Sequence, residues 1–341
     1  MNKHKVSIIC PIYNEEKYIV RCIESVLEQT FPSDDTEVLF VDGMSTDRTR
    51  DIVSEYTAKY NHIKLLDNPH RTVPYAMNIG IKAAKGDIIV RLDGHVEYPA
   101  NYISECVHYL TQLPQAENVG GLCQTLPCNE NNVSHAIAIA LSTNFGMGNS
   151  SFRVGSKKIR TVDTVPFGCF RKSLFDKIGF YDNDLVRNQD DELNGRIIKN
   201  GGKIYLIPEI KTKYFSRDKI GKIRKMFYQY GLYKPLVNKK LGHPATIRQF
   251  FPMLFLLGII IGGILSLFST IILWMYVAVL ALYILIGMAI GCKSAARLKR
   301  PLLVVMMPYV FANVHLSYGY GYLAGIYKIV MNKKFNVKSN R

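Results

Sequence analysis

Acidic side chains are scarce in this sequence: 27 Asp and Glu stand against 43 Lys and Arg, a formal net charge of +16 over 341 residues. With 48% hydrophobic residues the chain falls outside the disordered class, yet its surplus charge calls for an anionic partner. Paired cysteines are missing too. The seven thiols (Cys10, Cys22, Cys106, Cys123, Cys128, Cys169 and Cys292) are odd in number and scattered. Only Cys123 and Cys128 lie close, and no second pair or histidine cluster completes a zinc pattern. That sets aside a disulfide scaffold and a structural zinc domain, and reduced cytosolic thiols are expected. The opening residues, MNKHKVSIICPIYNEE, lack an apolar run long enough for a signal-peptide core. The N-terminal part is therefore expected to stay in the cytosol.

Charge of either sign is absent from Phe250 to Cys292, a run about twice the ~20 residues that cross a bilayer core. It divides at Ser266–Thr270, which predicts a hairpin of two spanning helices at about 250–268 and 270–291. A loop over Lys293–Arg300 is expected next, carrying Lys293, Arg297, Lys299 and Arg300, and the positive-inside rule places it in the cytosol. A third apolar stretch, Pro301–Tyr327, is interrupted by Pro308, Gly319, Gly321 and Gly325. Its length suits a third span; a re-entrant segment would instead keep the basic tail (Lys328, Lys333, Lys334, Lys338, Arg341) inside. Both readings stay open.

From Lys211 to Arg248, eleven Lys and Arg face the single acid Asp218. Within that segment Ile220, Ile223, Phe227 and Tyr230 alternate at helical spacing with Lys219, Lys222 and Lys225. This predicts an interfacial helix over Asp218–Leu236, resting on anionic headgroups. Nucleic acid is not expected as a partner, because the charges border a membrane hairpin and carry no reader fold. The expected organisation is a cytosolic domain over 1–216, a basic interfacial region over 217–249, a membrane domain over 250–328 and a basic tail over 329–341.

The first domain reads as strands alternating with amphipathic helices. Val6–Cys10, Val38–Val41, Ile63–Leu66 and Ile88–Leu92 are expected strands, with helices over Glu15–Gln29, after Asp47 and around Tyr75–Ala84. Such alternation predicts an α/β fold: a Rossmann-like, mainly parallel sheet with helices on both faces, its ligands at the carboxyl ends of the strands. Those ends carry polar clusters. Pro11-Ile12-Tyr13-Asn14-Glu15-Glu16 follows the first strand, Asp42-Gly43-Met44-Ser45-Thr46-Asp47 the second, and Asp93-Gly94-His95 the fourth. Later, Asn188-Gln189-Asp190-Asp191-Glu192 opens a helix that ends at Gly201-Gly202.

Taken together and in this order, the clusters resemble family 2 inverting glycosyltransferases, over roughly residues 5–235. The nearest subgroup is that of the succinoglycan-type exopolysaccharide glucosyltransferases, with an Asp-Gly-His or Asp-Ala-His metal motif. The resemblance implies a GT-A fold followed by transmembrane helices, and a divalent metal cofactor, Mn²⁺ or Mg²⁺. The expected donor is a nucleotide-diphospho-sugar with UDP as its nucleotide, and the expected acceptor a lipid-linked or growing saccharide at the cytoplasmic membrane face. Asp93 and His95 match the metal positions, although His95 replaces the commoner second carboxylate and could equally be a turn histidine. Asp190 matches the general base, with Asp191 and Glu192 as alternatives; three acids at a helix start also suit its dipole without catalysis. Pro11, Tyr13, Glu15, Asp42, Arg71 and Asp93 fall on the nucleotide-sugar side. Gly43 replaces the second acid of the family's Asp-Asp-Gly-Ser turn, and Arg71 reads equally well as a solvated loop charge. Gly168, within Val165–Arg171, and Asp191 fall in the acceptor region. The Gln-x-x-Arg-Trp motif of processive synthases is absent, since the one tryptophan is Trp274. A polyprenyl-phosphate glycosyltransferase and a non-catalytic membrane scaffold are the alternative functions.

Overall fold

A computed structural model of the protein describes residues 4–244 and 246–335; Lys338 and Arg341 of the expected tail lie outside them. The chain begins with β1 (Val6–Ile12), α1 (Ile19–Leu27), β2 (Thr36–Asp42), α2 (Thr49–Lys59), β3 (Ile63–Asp67) and α3 (Val73–Ala83). Next come β4 (Ile88–Arg91), β5 (Val96–Glu97), α4 (Tyr102–Gln112), β6 (Ala116–Leu126), α5 (Asn132–Leu141) and the short helices α6 (Asn144–Met147) and α7 (Ser151–Val154). After β7 (Arg160–Thr161), β8 (Cys169–Arg171), α8 (Ser173–Ile178), α9 (Gln189–Lys199) and β9 (Lys203–Phe215), the fold ends in four long helices. These are α10 (Ile220–Leu241), α11 (Phe251–Leu265), α12 (Thr270–Leu298) and α13 (Leu303–Val330).

Two compact units result. Residues 4–124 and 155–214 form the first; 125–154 and 215–335 form the second. Residues 125–154, which the sequence reading placed in the first domain, thus cluster with the C-terminal helices.

The sheet runs β3-β2-β1-β4-β8-β6-β9-β5, with β7 added at β9. Its first four strands are parallel. Beyond β4 the direction changes: β8 is antiparallel to β4 and to β6, and β5 and β7 are antiparallel to β9. All seven residues of β1 are buried, as a largely apolar strand covered on both faces should be, and its one polar side chain, Ser7, donates to Glu37 Oε1 at 2.7 Å. Helix α1 buries Ile19, Cys22, Ile23 and Val26, one face at helical spacing. It starts four residues later than expected. Asn14 adopts a left-handed φ of 54°, and Glu15 to Tyr18 form a turn in which the Glu15 carbonyl accepts from Tyr18 and Ile19 N–H. In the parallel register Ile12 pairs with Asp42 and Ile9 with Arg91, so the loops after β1, β2 and β4 open on one edge.

In the second unit, Ala136, Ile137, Met226, Phe227, Phe311 and Val314 belong to one core shared by α5, α10 and α13. Helices α10 and α13 approach to backbone contact: a Cβ on Gly231 would lie 2.1 Å from the Tyr318 carbonyl oxygen, and one on Gly321 2.1 Å from that of Tyr228. The expected interfacial helix is therefore packed on one face, while Lys222, Arg224 and Lys225 stay exposed on the other. Among the described residues two helices are long and apolar enough to cross a membrane, Ile247–Leu265 and Thr270–Leu298. They break at Ser266–Ser269, where the sequence divides its charge-free run. Their apolar side chains are left open, Ile271 at 74% and Trp274 at 67% exposure. A soluble core helix would bury them. Lys293 and Arg297 are not in a loop, since α12 continues to Leu298 and ends on a left-handed Lys299. The third apolar stretch is one continuous helix through Pro308, and Leu303, Met307, Val310 and Phe311 are buried on one side of it.

Candidate active site

The edge where the parallel strands end is stitched by loop-to-loop hydrogen bonds. Gly43 N–H donates to the Ile12 carbonyl at 2.8 Å, Asn14 N–H to Ser45 Oγ at 2.9 Å, and Glu15 N–H to Thr49 Oγ1 at 2.7 Å. Pro11 is buried at the end of β1, and Tyr13 is half-buried with its Cβ beside Gly43. Asp42 is fully buried and occupied from below. It accepts from Ser45 Oγ at 2.5 Å and Ser45 N–H at 3.1 Å, and Arg50 Nη1 lies 3.0 Å from it. The second Arg50 nitrogen reaches Asp67 at 2.6 Å. Arg71 is exposed, with a left-handed φ of 60°.

After β4 the Asp93-Gly94-His95 turn brings His95 Nδ1 to 3.3 Å from Glu15 Oε1. The approach lacks hydrogen-bond geometry, so this buried ring nitrogen has no hydrogen-bond partner in the structure. Such an orphan costs free energy in a folded protein and points to a missing partner. Asp93 N–H donates to Tyr98 Oη at 2.8 Å, which orients the turn.

Sequence reasoning passed over the residue that joins the two ends of the site. Arg91, the last residue of β4, is only 7% exposed. Its Nη1 binds Asp190 and its Nη2 lies 3.2 Å from Asp93, so one guanidinium ties together two acids far apart in sequence. A signal was present: a buried charge needs a partner, and Arg91 ends the otherwise apolar run Ile88-Ile89-Val90. Burial alone would lower the pKa of this guanidinium, but Asp190 and Asp93 outweigh it and hold it above its ordinary value. Around Asp190 the balance runs the other way. Enclosure pushes its carboxyl up, Arg91 pulls it down, and Asp93 and Asp191 push it up again. The net direction is upward, although 38% of the side chain is exposed.

Helix α9 presents Asp190 at its first turn because Asn188 takes a left-handed φ of 59° just before it. Farther along, Arg196 grips Glu192 with two nitrogens at 2.7 and 2.8 Å and donates to the carbonyls of Gly179 and Phe180. Asn78 holds the next residue, accepting from Tyr181 N–H at 3.0 Å and donating to its carbonyl at 2.8 Å. Tyr181 is thereby fixed beside Arg91 and Asp190, where burial and the Asp190 charge keep its hydroxyl protonated. Arg91, Tyr181 and Asp190 line a small pocket, and Gly168 lies on its wall. Asp191 is half-buried on the first turn of α9. Asp93, Asp190 and Gly168 thus share a site with Arg91, and Glu15 meets His95. Asp42 is turned into its own loop.

The sequence model of Glycosyl transferase family 2 matches residues 7–179. The chain belongs to this family. Relatives extend the likeness over nearly all of its length. It is 31% identical over 95% of its residues to a Methanococcus voltae enzyme named dolichyl N-acetyl-alpha-D-glucosaminyl phosphate 3-beta-D-2,3-diacetamido-2,3-dideoxy-beta-D-glucuronosyltransferase, and covers 97% of it. It is 28% identical to the succinoglycan biosynthesis protein ExoA of Rhizobium meliloti, over 72% of this chain and 74% of that one. Among solved structures, a mannosyltransferase of Pyrobaculum calidifontis in complex with GDP-Man and Mn²⁺ shares the fold. Its TM-score is 0.59 at 18% identity, over 98% of this chain and 89% of that one. The family 2 chain is a glycosyltransferase with a GT-A fold, as its sequence led us to expect, with a sheet that is parallel in one half and antiparallel in the other.

Proposed function

We propose that this transferase moves a sugar from a nucleoside diphosphate, UDP, to a hydroxyl of a lipid-linked saccharide at the cytoplasmic face of a membrane, with Asp190 as general base. The observation that carries the reading is the Arg91 bridge, which places Asp190 and Asp93 on one guanidinium at the strand-end edge. In the reaction, Asp190 takes the proton of the acceptor hydroxyl as its oxygen bonds to the anomeric carbon. The bond from that carbon to the diphosphate oxygen breaks on the opposite side, which inverts the centre. The pull of Arg91 on Asp190 opposes the upward push of its enclosure and so favours the charged form that a base requires.

A divalent cation fits the turn after β4. Among the described residues no three His, Cys, Asp or Glu side chains gather to hold an ion alone. Mg²⁺-type sites, however, commonly take one or two protein ligands and complete the shell with substrate phosphates. Asp93 would supply an oxygen and the orphaned His95 Nδ1 a nitrogen, with Glu15 close by. When bound, the ion would offset charge on the departing diphosphate. Pro11 and Tyr13 would line the nucleotide, and Asp42 would shape their turn from below. Arg71 could reach the donor only from its exposed loop. Asp191 would border the acceptor.

The long likeness to a dolichyl-linked transferase supports the lipid-linked acceptor, and the two open apolar helices support the membrane. Four basic residues, two in the last turns of the second helix and two just after it, support a cytosolic Lys293–Arg300. The test is a panel of nucleotide sugars offered to the full chain in detergent, read as Mn²⁺-dependent nucleotide release. Release from a UDP-sugar is expected, and His95→Ala should cut it 10- to 100-fold at limiting metal with the unfolding midpoint unchanged. No release from any donor would overturn the reading.

A further inference from the structure

Two polar atoms beside the proposed base have no hydrogen-bond partner. One is Arg91 Nε, a donor, on a side chain whose other two nitrogens are committed to Asp190 and Asp93; the Tyr181 hydroxyl lies close enough to feel this guanidinium, yet makes no bond of hydrogen-bond geometry to Nε. The other is Asn118 Oδ1 on β6, an acceptor, in a residue only 1% exposed. Asn118 Nδ2 donates to Asn194 Oδ1 at 2.8 Å, and Asn194 Nδ2 in turn donates to Thr164 Oγ1 at 2.8 Å. Turning both amides over would reverse this chain and still leave one polar atom of Asn118 unused. The two residues that carry these atoms line a single pocket, together with Gly168, Tyr181, Asp190 and Asn194. Gly168 keeps it open: a Cβ there would lie 2.4 Å from Asn118 Oδ1.

The chemistry of the orphans defines what the pocket takes. An N–H needs an acceptor and an amide oxygen needs a donor, and a hydroxyl is both at once. A phosphate or carboxylate would satisfy Arg91 but face the Asn118 oxygen and the Asp190 carboxylate. The space admits a group about the size of a water molecule, too small for a sugar ring. Deepening the acceptor assignment made above, on which it rests, we propose that this pocket is a recognition subsite for one hydroxyl of the acceptor sugar. That hydroxyl is received between Arg91 Nε and Asn118 Oδ1 beside Asp190, and Asn118 is a specificity-determining residue.

The test uses the full chain in detergent with the donor that releases nucleotide. Acceptors are octyl glucoside, octyl N-acetylglucosaminide and their singly deoxygenated counterparts. Removal of one particular hydroxyl should lower kcat/KM by about 10²-fold in the native chain, since a site built around a hydroxyl leaves its own groups unpaired when the hydroxyl is gone. Asn118→Ala should shrink that discrimination about tenfold or more, and Asn118→Asp, which keeps an acceptor oxygen, should restore most of it. A merely structural Asn118 would lower the unfolding midpoint and leave the hydroxyl-to-deoxy ratio at its native value, which overturns the proposal. So would equal use of all deoxy acceptors by the native chain, the result expected if the pocket holds a resident water. Nucleotide release without transfer to either glycoside also overturns it while leaving the transferase reading in place; absence of nucleotide release sinks that reading instead.

Discussion

Asp42 closes a strand and Asp190 opens a helix, yet their surroundings differ in kind. Asp42 is satisfied by neighbours three and eight residues on, Ser45 and Arg50, in a turn that closes on itself. Asp190 depends on Arg91, 99 residues earlier in the chain, and keeps part of its carboxylate exposed beside a pocket. A locally completed acid is a structural part of its loop. An acid whose partner comes from a distant strand, and which still faces open space, fits the base proposed above. Within the parallel half of the sheet, polar groups shape the strand-end turns; where β4 meets the antiparallel half, they converge.

The largest test of this contrast is at Asp190. Asp190→Asn keeps the shape but cannot accept a proton, and should cut transfer by roughly 10²–10⁴-fold with donor binding nearly intact. Asp191→Asn, one step around α9, should cost much less. Transfer rates and donor affinity of the two variants check this, and exchanged phenotypes would move the base by one residue. If neither variant mattered, a phosphate acceptor, which needs no base, would take the lead.

The same contrast marks what was legible in the sequence. The strands and their polar ends came from periodicity, because parallel β-α repeats write their boundaries locally, and the family from the resemblance that the clustered residues carry. Asp93, His95 and Asp190 were singled out as candidates through the family resemblance that those clusters carry. Arg91 did not: a charge inside Ile-Ile-Val-Arg gains meaning only from a partner that tertiary structure delivers. Nor could hydrophobicity show that residues 125–154 join the C-terminal helices. Helix α5 is short and apolar like many sheet-covering helices, and its destination is decided by contacts with Phe227 and Phe311. The Asp218–Leu236 helix was foreseen, but not its packed face, which depends on Gly231 meeting the Tyr318 backbone and Gly321 that of Tyr228.

Arg91→Gln gives an intermediate effect with a direction in pH. Arg91 lowers the Asp190 carboxyl, whose folded value already lies above the ordinary 3.8. Removing the guanidinium leaves only the upward influences, so the base loses its charge at higher pH. The acid limb of kcat/KM should therefore move upward, with activity at neutral pH reduced about 10- to 100-fold. The unfolding free energy should fall by about 1–3 kcal/mol, below the cost of breaking a fully enclosed pair because Asp190 is partly solvated. A pH–rate profile beside a denaturant titration separates the two effects. An unmoved limb would mean that Arg91 serves packing alone.

Asp42→Asn is expected to have the smallest effect on turnover. Asparagine keeps one oxygen for the Ser45 N–H and hydroxyl and the same volume in a fully buried position. It loses the charge opposite Arg50, but Arg50 retains Asp67 at 2.6 Å and is itself partly exposed. The loss should therefore be about 1–2 kcal/mol of stability, the range of one charge-assisted hydrogen bond, seen as a lower unfolding midpoint. Because the carboxylate is spent on its own turn, the donor KM should rise by no more than about threefold, through loosening of the loop that carries Tyr13 and Gly43. Arg50→Gln should reproduce this pattern, since it breaks the same contact from the other side, and the double variant should cost less than the sum of the two. The opposite pattern, a donor KM raised tenfold or more with an unchanged midpoint, would mean that Asp42 leaves Ser45 to bind the nucleotide directly. The turn after β2 would then be a reader of the base, and the distinction between locally closed and distantly paired acids would fail at its first member.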